Sequence, residues 1–248
     1  MDFGYLTKWK CGLADSIVNS KMNIIKIIIG VVADYGLIAY YAVKSLPKKE
    51  TPPEWRVGSK GDVLLIPGLL ENWVFMEKIG WDLNQKGFRV HTVRAIGFNA
   101  KPVDWAVEAI GEFIMSNNLH HLTVIGHSKG GVIGIKLINK AIIRARISKL
   151  ITIACPFGGS FWGYFWPANF ELSLGSKLIK GLANGIRKNE IYNFYPEIDQ
   201  QIIPNNGLIL KNGNNQQIQV IGHCQILNKF SLLEGIGEVI KLKNQCYN

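Results

Sequence analysis

From Gly61 onward the chain alternates short β-rich runs with segments of helical length and period, and this alternation restricts the possible folds most. The runs are "DVLLIP" (Asp62 to Pro67), "FRVHTV" (Phe88 to Val93), "LTVIG" (Leu122 to Gly126), "LITIA" (Leu150 to Ala154), "IYNFYP" (Ile191 to Pro196) and "IQVIG" (Ile218 to Gly222). Several are apolar at successive positions, as strands covered on both faces are. Helical segments are expected at Val74 to Lys86, Val103 to Asn117, Gly130 to Arg144 and Ile226 to Ile240. Strands alternating with helices predict crossover units, hence a mostly parallel sheet with helices on both faces. With 248 residues, 48% of them hydrophobic, the chain is long enough for one such α/β domain.

One junction is unusual. In "LTVIGHSKGGVIGIKLI" (Leu122 to Ile138) a buried strand turns straight into a buried helix, and Ser128 sits between Gly126 and Gly130. A serine whose Oγ is exposed above a parallel sheet needs a sharp, strained turn, which leaves no room for side chains two positions before and after it. Gly131 and Gly134 let the following helix lie close to the sheet. The G-x-S-x-G pattern is weak alone; the strand before it and the helix after it give it weight.

A serine hydroxyl needs a base, and the base needs an orienting group. Of five histidines, His127 lies inside the motif and points away, His120 and His121 open the serine's own strand, and His91 lies mid-strand. His223 remains, directly after the last apolar strand, at the carboxyl edge where open α/β sheets build sites. Downstream of Ser128 the one aspartate is Asp199, in "FYPEIDQQIIP", with Glu197 as its rival. Either gives the chain order serine, acid, histidine. Two N–H donors are also required for an oxyanion. The backbone of Lys129 supplies one at the turn, and Leu69, after the first strand in "LLIPGLLENW", is the candidate for the other.

Together "LLIPGLLENW", "LTVIGHSKGG", "FYPEIDQQIIP" and "VIGHCQIL" resemble the α/β-hydrolase fold, more narrowly its small bacterial-type lipases and esterases, with the motifs in the family's order from Gly61 to the C-terminus. The resemblance implies a serine hydrolase with Ser128, Asp199 and His223 as triad, Leu69 and Lys129 as oxyanion amides, and no cofactor or metal. One departure is that many lipases carry His-Gly where this chain has Pro67 and Gly68.

Between Cys155 and Ile191 the connection exceeds the 2 to 6 residues usual for such units. It is read as a lid over about residues 157 to 190. Phe157 to Phe170 holds seven aromatic residues, and Lys177, Lys180, Arg187 and Lys188 follow. Apolar and cationic groups together suit an acyl chain at an anionic lipid surface; packing of a cap onto the domain explains the aromatics equally well.

The first sixty residues are read as a separate unit. Ile24 to Val43 has the length of a membrane span but carries Asp34 near its centre. About ten Ile, Leu and Val residues contribute about −0.3 to −0.6 kcal/mol each, against about +2.5 to +3.5 kcal/mol for a central Asp, and the sum is near zero. The segment is expected to be an N-terminal membrane anchor followed by a Pro- and Lys-rich linker, giving residues 1–60 and a catalytic domain over 61–248. The alternative is a helix docked on a soluble, cytoplasmic domain. A net charge of +10 suits an anionic surface, and with no basic helix interleaved with aromatics, nucleic acid is not expected as a partner. The four cysteines are far apart and support neither a metal site nor a disulfide framework. The expected activity is acyl ester hydrolysis of lipase or carboxylesterase type, with an acyltransferase or thioesterase on the same triad, or a binding module, as alternatives.

Overall fold

The computed structural model describes residues 24–46, 50–165, 167–182, 191–211 and 213–242. Among the described residues six strands form one sheet: β1 (Asp62–Ile66), β2 (Arg89–His91), β3 (Leu122–His127), β4 (Ile147–Ile153), β5 (Ile191–Ile198) and β6 (Asn214–Ile221). Their order is β2-β1-β3-β4-β5-β6, and every neighbouring pair is parallel. Each expected strand is present, with ends displaced by a few residues.

Alternation along β1 shows how the sheet is sandwiched. Val63 and Leu65 face one core, shared with α2 (Glu77–Gln85) and α7 (Phe230–Lys241). Leu64 and Ile66 face the other, shared with α3 (Val103–Ser116) and α4 (Lys129–Ile138). Residues Val103, Ala106, Val107, Ile110 and Ile114 make the buried stripe of α3, the spacing of an amphipathic helix. The chain leaves β1 toward β2 on one side and returns to β3 on the other. The crevice at the carboxyl ends of β1 and β3 is therefore a topological switch point, where such sheets bind ligands. The short α5 (Ala141–Arg144) continues the expected Gly130 to Arg144 segment after a break, and α6 (Lys177–Leu182) lies in the long insertion.

The described part of the N-terminal segment packs on the domain. Helix α1 (Ile24–Ser45) is long and apolar enough to cross a membrane by length and composition. Its stripe of Gly30, Asp34, Leu37, Ile38, Tyr41 and Ser45 is turned to the domain: Asp34, Tyr41 and Ser45 are buried, Leu37 and Ile38 pack on the core, and Gly30 lies against Ile221. Tyr41 donates to Asn228 Oδ1 at 2.8 Å, and Lys44 pairs with Glu77. The expected linker is also held in place, because Trp55 is fully buried between Trp73, Trp81 and Gly80. Aromatic packing of this size fixes a segment that proline and charge content mark as loose. The opposite face of α1, with Ile24, Ile25, Ile28, Ile29 and Val32, is exposed.

Candidate active site

Ser128 stands between β3 and α4 with φ 51° and ψ −119°. A non-glycine residue at positive φ is strained and persists only where its surroundings enforce it. The enforcement is visible on both sides. A Cβ on Gly126 would lie 2.4 Å from Gly130 O, and one on Gly130 would lie 2.0 Å from Ile66 O, so only glycine allows this approach. Gly131 and Gly134 similarly abut Cys155 and Leu150, bringing α4 onto the sheet. The Ser128 N–H donates to Ile153 O at 2.8 Å, which ties the turn to β4.

Asp199 directly follows β5, and His223 lies two residues past β6. The structure brings them together: His223 Nδ1 is 2.6 Å from Asp199 Oδ2, with both residues buried. A carboxylate partner places the proton on Nδ1 and leaves Nε2 as the accepting nitrogen. Asp199 Oδ1 meanwhile accepts from Gln201 N at 2.8 Å and Ile202 N at 3.0 Å, which fixes the carboxylate plane. Glu197, the rival acid, lies inside β5, and the bond to His223 is made by Asp199. The Ser128 hydroxyl is not hydrogen-bonded to His223 among the described residues. His127, next in the chain to Ser128, packs its ring 4.8 Å from that of His223.

Leu69 lies in the loop after β1, and Lys129 is the first residue of α4, where N–H groups have no carbonyl partner within the helix. The Leu69 loop is shaped by a residue the sequence did not reveal. Glu71, 5% exposed, accepts from Gly68 N at 2.8 Å and lies 2.7 Å from His127 Nδ1 through the same oxygen. His127 Nε2 in turn faces His223 O at 3.2 Å. Both ring nitrogens of His127 thus meet acceptors, and this network joins the Leu69 loop, the Ser128 turn and the His223 loop. Burial alone would raise the Glu71 pKa, but His127, then His223 and the Gly68 N–H, hold it below the usual glutamate value. Burial also disfavours charge on His223. Asp199 outweighs that, helped by Glu71 and Asp34, and its pKa lies above that of an ordinary histidine.

Glu71, His127 and Cys224 also have donor atoms within 4.8 Å of one another. Their atoms are already engaged, with the Cys224 thiol on Glu71 Oε1 at 3.6 Å, and burial pushes that thiol well above its ordinary pKa. A metal needs a thiolate, so the trio fits a hydrogen-bond network better than an ion site. Cys155 and Cys224 are both free and buried.

In the insertion expected to be a lid, Phe161, Trp162, Tyr164, Phe165 and Phe170 are exposed and pack on one another in edge-to-face and tilted pairs. It is hung on the Asp199 loop: Ser160 Oγ donates to Gln201 O at 2.6 Å, and Trp162 Nε1 to Gln200 O at 3.0 Å. Its other attachment is Glu171, which accepts from Val103 N at 2.8 Å and lies 3.5 Å from the buried Lys129 ammonium. Lys177 and Lys180 belong to α6; Arg187 and Lys188 lie outside the described residues.

No family model matches the chain, and no curated protein does. Solved structures do. Aspergillus fumigatus lipase B is similar with a TM-score of 0.54 at 15% identity, over 66% of this chain and 44% of the lipase chain. An α/β hydrolase from the metagenome of Mar Chica lagoon sediments, Morocco, has a TM-score of 0.57 at 12% identity, over 75% of this chain and 92% of its own. A structure from a study of carboxylesterases of the thaumarchaeon Nitrososphaera gargenis has 0.54 at 12% identity, over 74% and 92%. This chain thus spans less than half the length of the fungal lipase and nearly all of the other two. At such identities the likeness speaks for architecture, and with the parallel sheet, the strained serine turn and the carboxyl-edge histidine it establishes that the chain has the α/β-hydrolase fold.

Proposed function

We propose that this protein is a serine hydrolase of lipase or carboxylesterase type that cleaves carboxylic esters, lipid acyl esters in particular, through an acyl-enzyme. Ser128 is the nucleophile, His223 the base and Asp199 its orienting acid, with the amides of Leu69 and Lys129 taking the oxyanion. The observation that carries this reading is a serine held at φ 51° at the switch point, next in the chain to His127, whose ring packs against that of His223, a buried histidine whose Nδ1 is committed to a carboxylate. Strain of that kind is maintained where a side chain must be presented, and a histidine so oriented offers its second nitrogen as a base. Neighbours described as lipases and carboxylesterases agree with it. Mapping the residue modified by a fluorophosphonate tests it: the label is expected on Ser128, and a label elsewhere, or none, would refute the assignment.

The lipid preference rests on two apolar surfaces, the exposed face of α1 and the lid aromatics. An interface of acyl chains and headgroups covers such surfaces, and the net charge of +10 favours anionic lipid. With Asp34 turned into the domain, α1 anchors by lying along the membrane surface. Full-length protein is expected to float with anionic vesicles, and replacing Ile28, Ile29 and Val32 together by Ser to release most of it. Full-length protein that stays in the aqueous fraction would overturn the lipid assignment and leave the hydrolase assignment standing.

A base must be unprotonated to act. Because His223 has a pKa above the usual 6.5, kcat/KM on a short soluble ester should rise with pH along a limb whose midpoint lies above 6.5, with protonated enzyme inactive below it. A pH–rate profile whose limb falls well below that value would show that His223 is not the titrating base.

A further inference from the structure

We infer that Asp34 of α1 is a positioning residue for the triad, so that the N-terminal helix belongs to the active site. This rests on the hydrolase reading above. The Asp34 side chain, fully buried, accepts from four donors on the two loops that carry the acid and the base. Oδ1 accepts from Cys224 N at 2.9 Å and Gln225 N at 2.7 Å; Oδ2 accepts from His223 N at 3.0 Å and from Gln200 Nε2 at 2.5 Å. Three consecutive N–H groups, beginning at the base itself, thus converge on one carboxylate. Gln200 adjoins Asp199, so the same carboxylate sets the acid loop against the base loop.

The surroundings are shaped for this contact. Gly222 has φ +125°, and a Cβ there would lie 2.6 Å from Asp34 Oδ1. Gln225 Nε2 donates back to Gly30 O one turn earlier on α1, at 2.8 Å. A central aspartate that weakens membrane insertion is thereby accounted for: the backbone N–H groups of His223, Cys224 and Gln225 would otherwise lack this acceptor. Asp34 reaches His223 through its backbone and leaves the ring to Asp199. The titratable groups facing that ring are Asp199, Glu71, Asp34 and the neighbouring imidazole of His127.

In Asp34→Asn one acceptor oxygen becomes a donor, so at least one backbone N–H of the base loop loses its acceptor and that loop is held less firmly. Misplacement of a base by about 1 Å costs about 10²-fold. The variant is expected to lose about that factor in kcat on a short soluble ester with KM little changed, and to shift the acid limb of its profile to lower pH, since a negative charge near His223 is gone. The downfield NMR proton of the His223–Asp199 bond should weaken or move. A folded Asp34→Asn protein with wild-type kcat, wild-type limb and unchanged proton signal would overturn the proposal. If the variant does not fold, amide exchange in the wild type decides: the His223, Cys224 and Gln225 amides should exchange as slowly as those of β6, and exchange at exposed-loop rates would overturn it. The proton signal and amide exchange need no turnover, and fluorophosphonate labelling of wild-type Ser128 tests the hydrolase reading separately.

Discussion

Ser128→Ala should abolish fluorophosphonate labelling and lower ester hydrolysis by about 10⁶-fold in kcat, while the protein stays folded. The size of the effect follows from the chemistry. Without Oγ no acyl-enzyme forms, and what remains is binding and oxyanion stabilisation, which together sustain only a small residual rate over water. Folding should survive because the turn is enforced around Ser128 rather than by its hydroxyl. The backbone bond to Ile153 O stays, Gly126 and Gly130 still allow α4 to approach, and alanine occupies the same volume less one oxygen. Circular dichroism and thermal melting of the variant check the fold, and a continuous assay on a soluble ester checks the rate. Turnover undiminished in a purified Ser128→Ala protein would remove the nucleophile from the mechanism.

The parts of this site that were legible in the sequence are those whose geometry is local. The glycine spacing around Ser128 reads as a steric requirement directly from the order of residues, because the atoms that would clash lie within a few positions or in the adjoining strand. His223 could be found by its place after the last apolar run. Asp34 and Glu71 could not. Asp34 meets His223 across 189 positions of chain and Glu71 meets His127 across 56, and no local pattern announces either partner. For Asp34 the local pattern points elsewhere: a carboxylate inside twenty apolar residues reads as a penalty on membrane insertion, and only the docking of α1 shows that the charge has partners of its own. Trp55 is similar. Prolines and lysines around it suggest a free linker, whereas the indole is held by Trp73 and Trp81, a contact set by tertiary packing.

The acid gives a sharper contrast than the nucleophile, since two carboxylates two residues apart are expected to differ by orders of magnitude. Asp199→Asn should cost about 10⁴-fold in kcat, the scale of the same change in a serine protease triad. The asparagine can keep Oδ1 as acceptor for Gln201 N and Ile202 N, so the loop retains its shape. Its amide NH₂ then replaces the oxygen that lies 2.6 Å from His223 Nδ1. A donor in that place favours the tautomer with the proton on Nε2, and the nitrogen meant to receive the Ser128 proton is already occupied. Glu197→Gln should change kcat little, because Glu197 belongs to β5 and has no bond to the ring. Measured side by side on one soluble ester, the two variants separate the roles without any assumption about the natural substrate. A large loss in Glu197→Gln with a small one in Asp199→Asn would mean that the 2.6 Å pair is structural and that the acid was assigned to the wrong carboxylate.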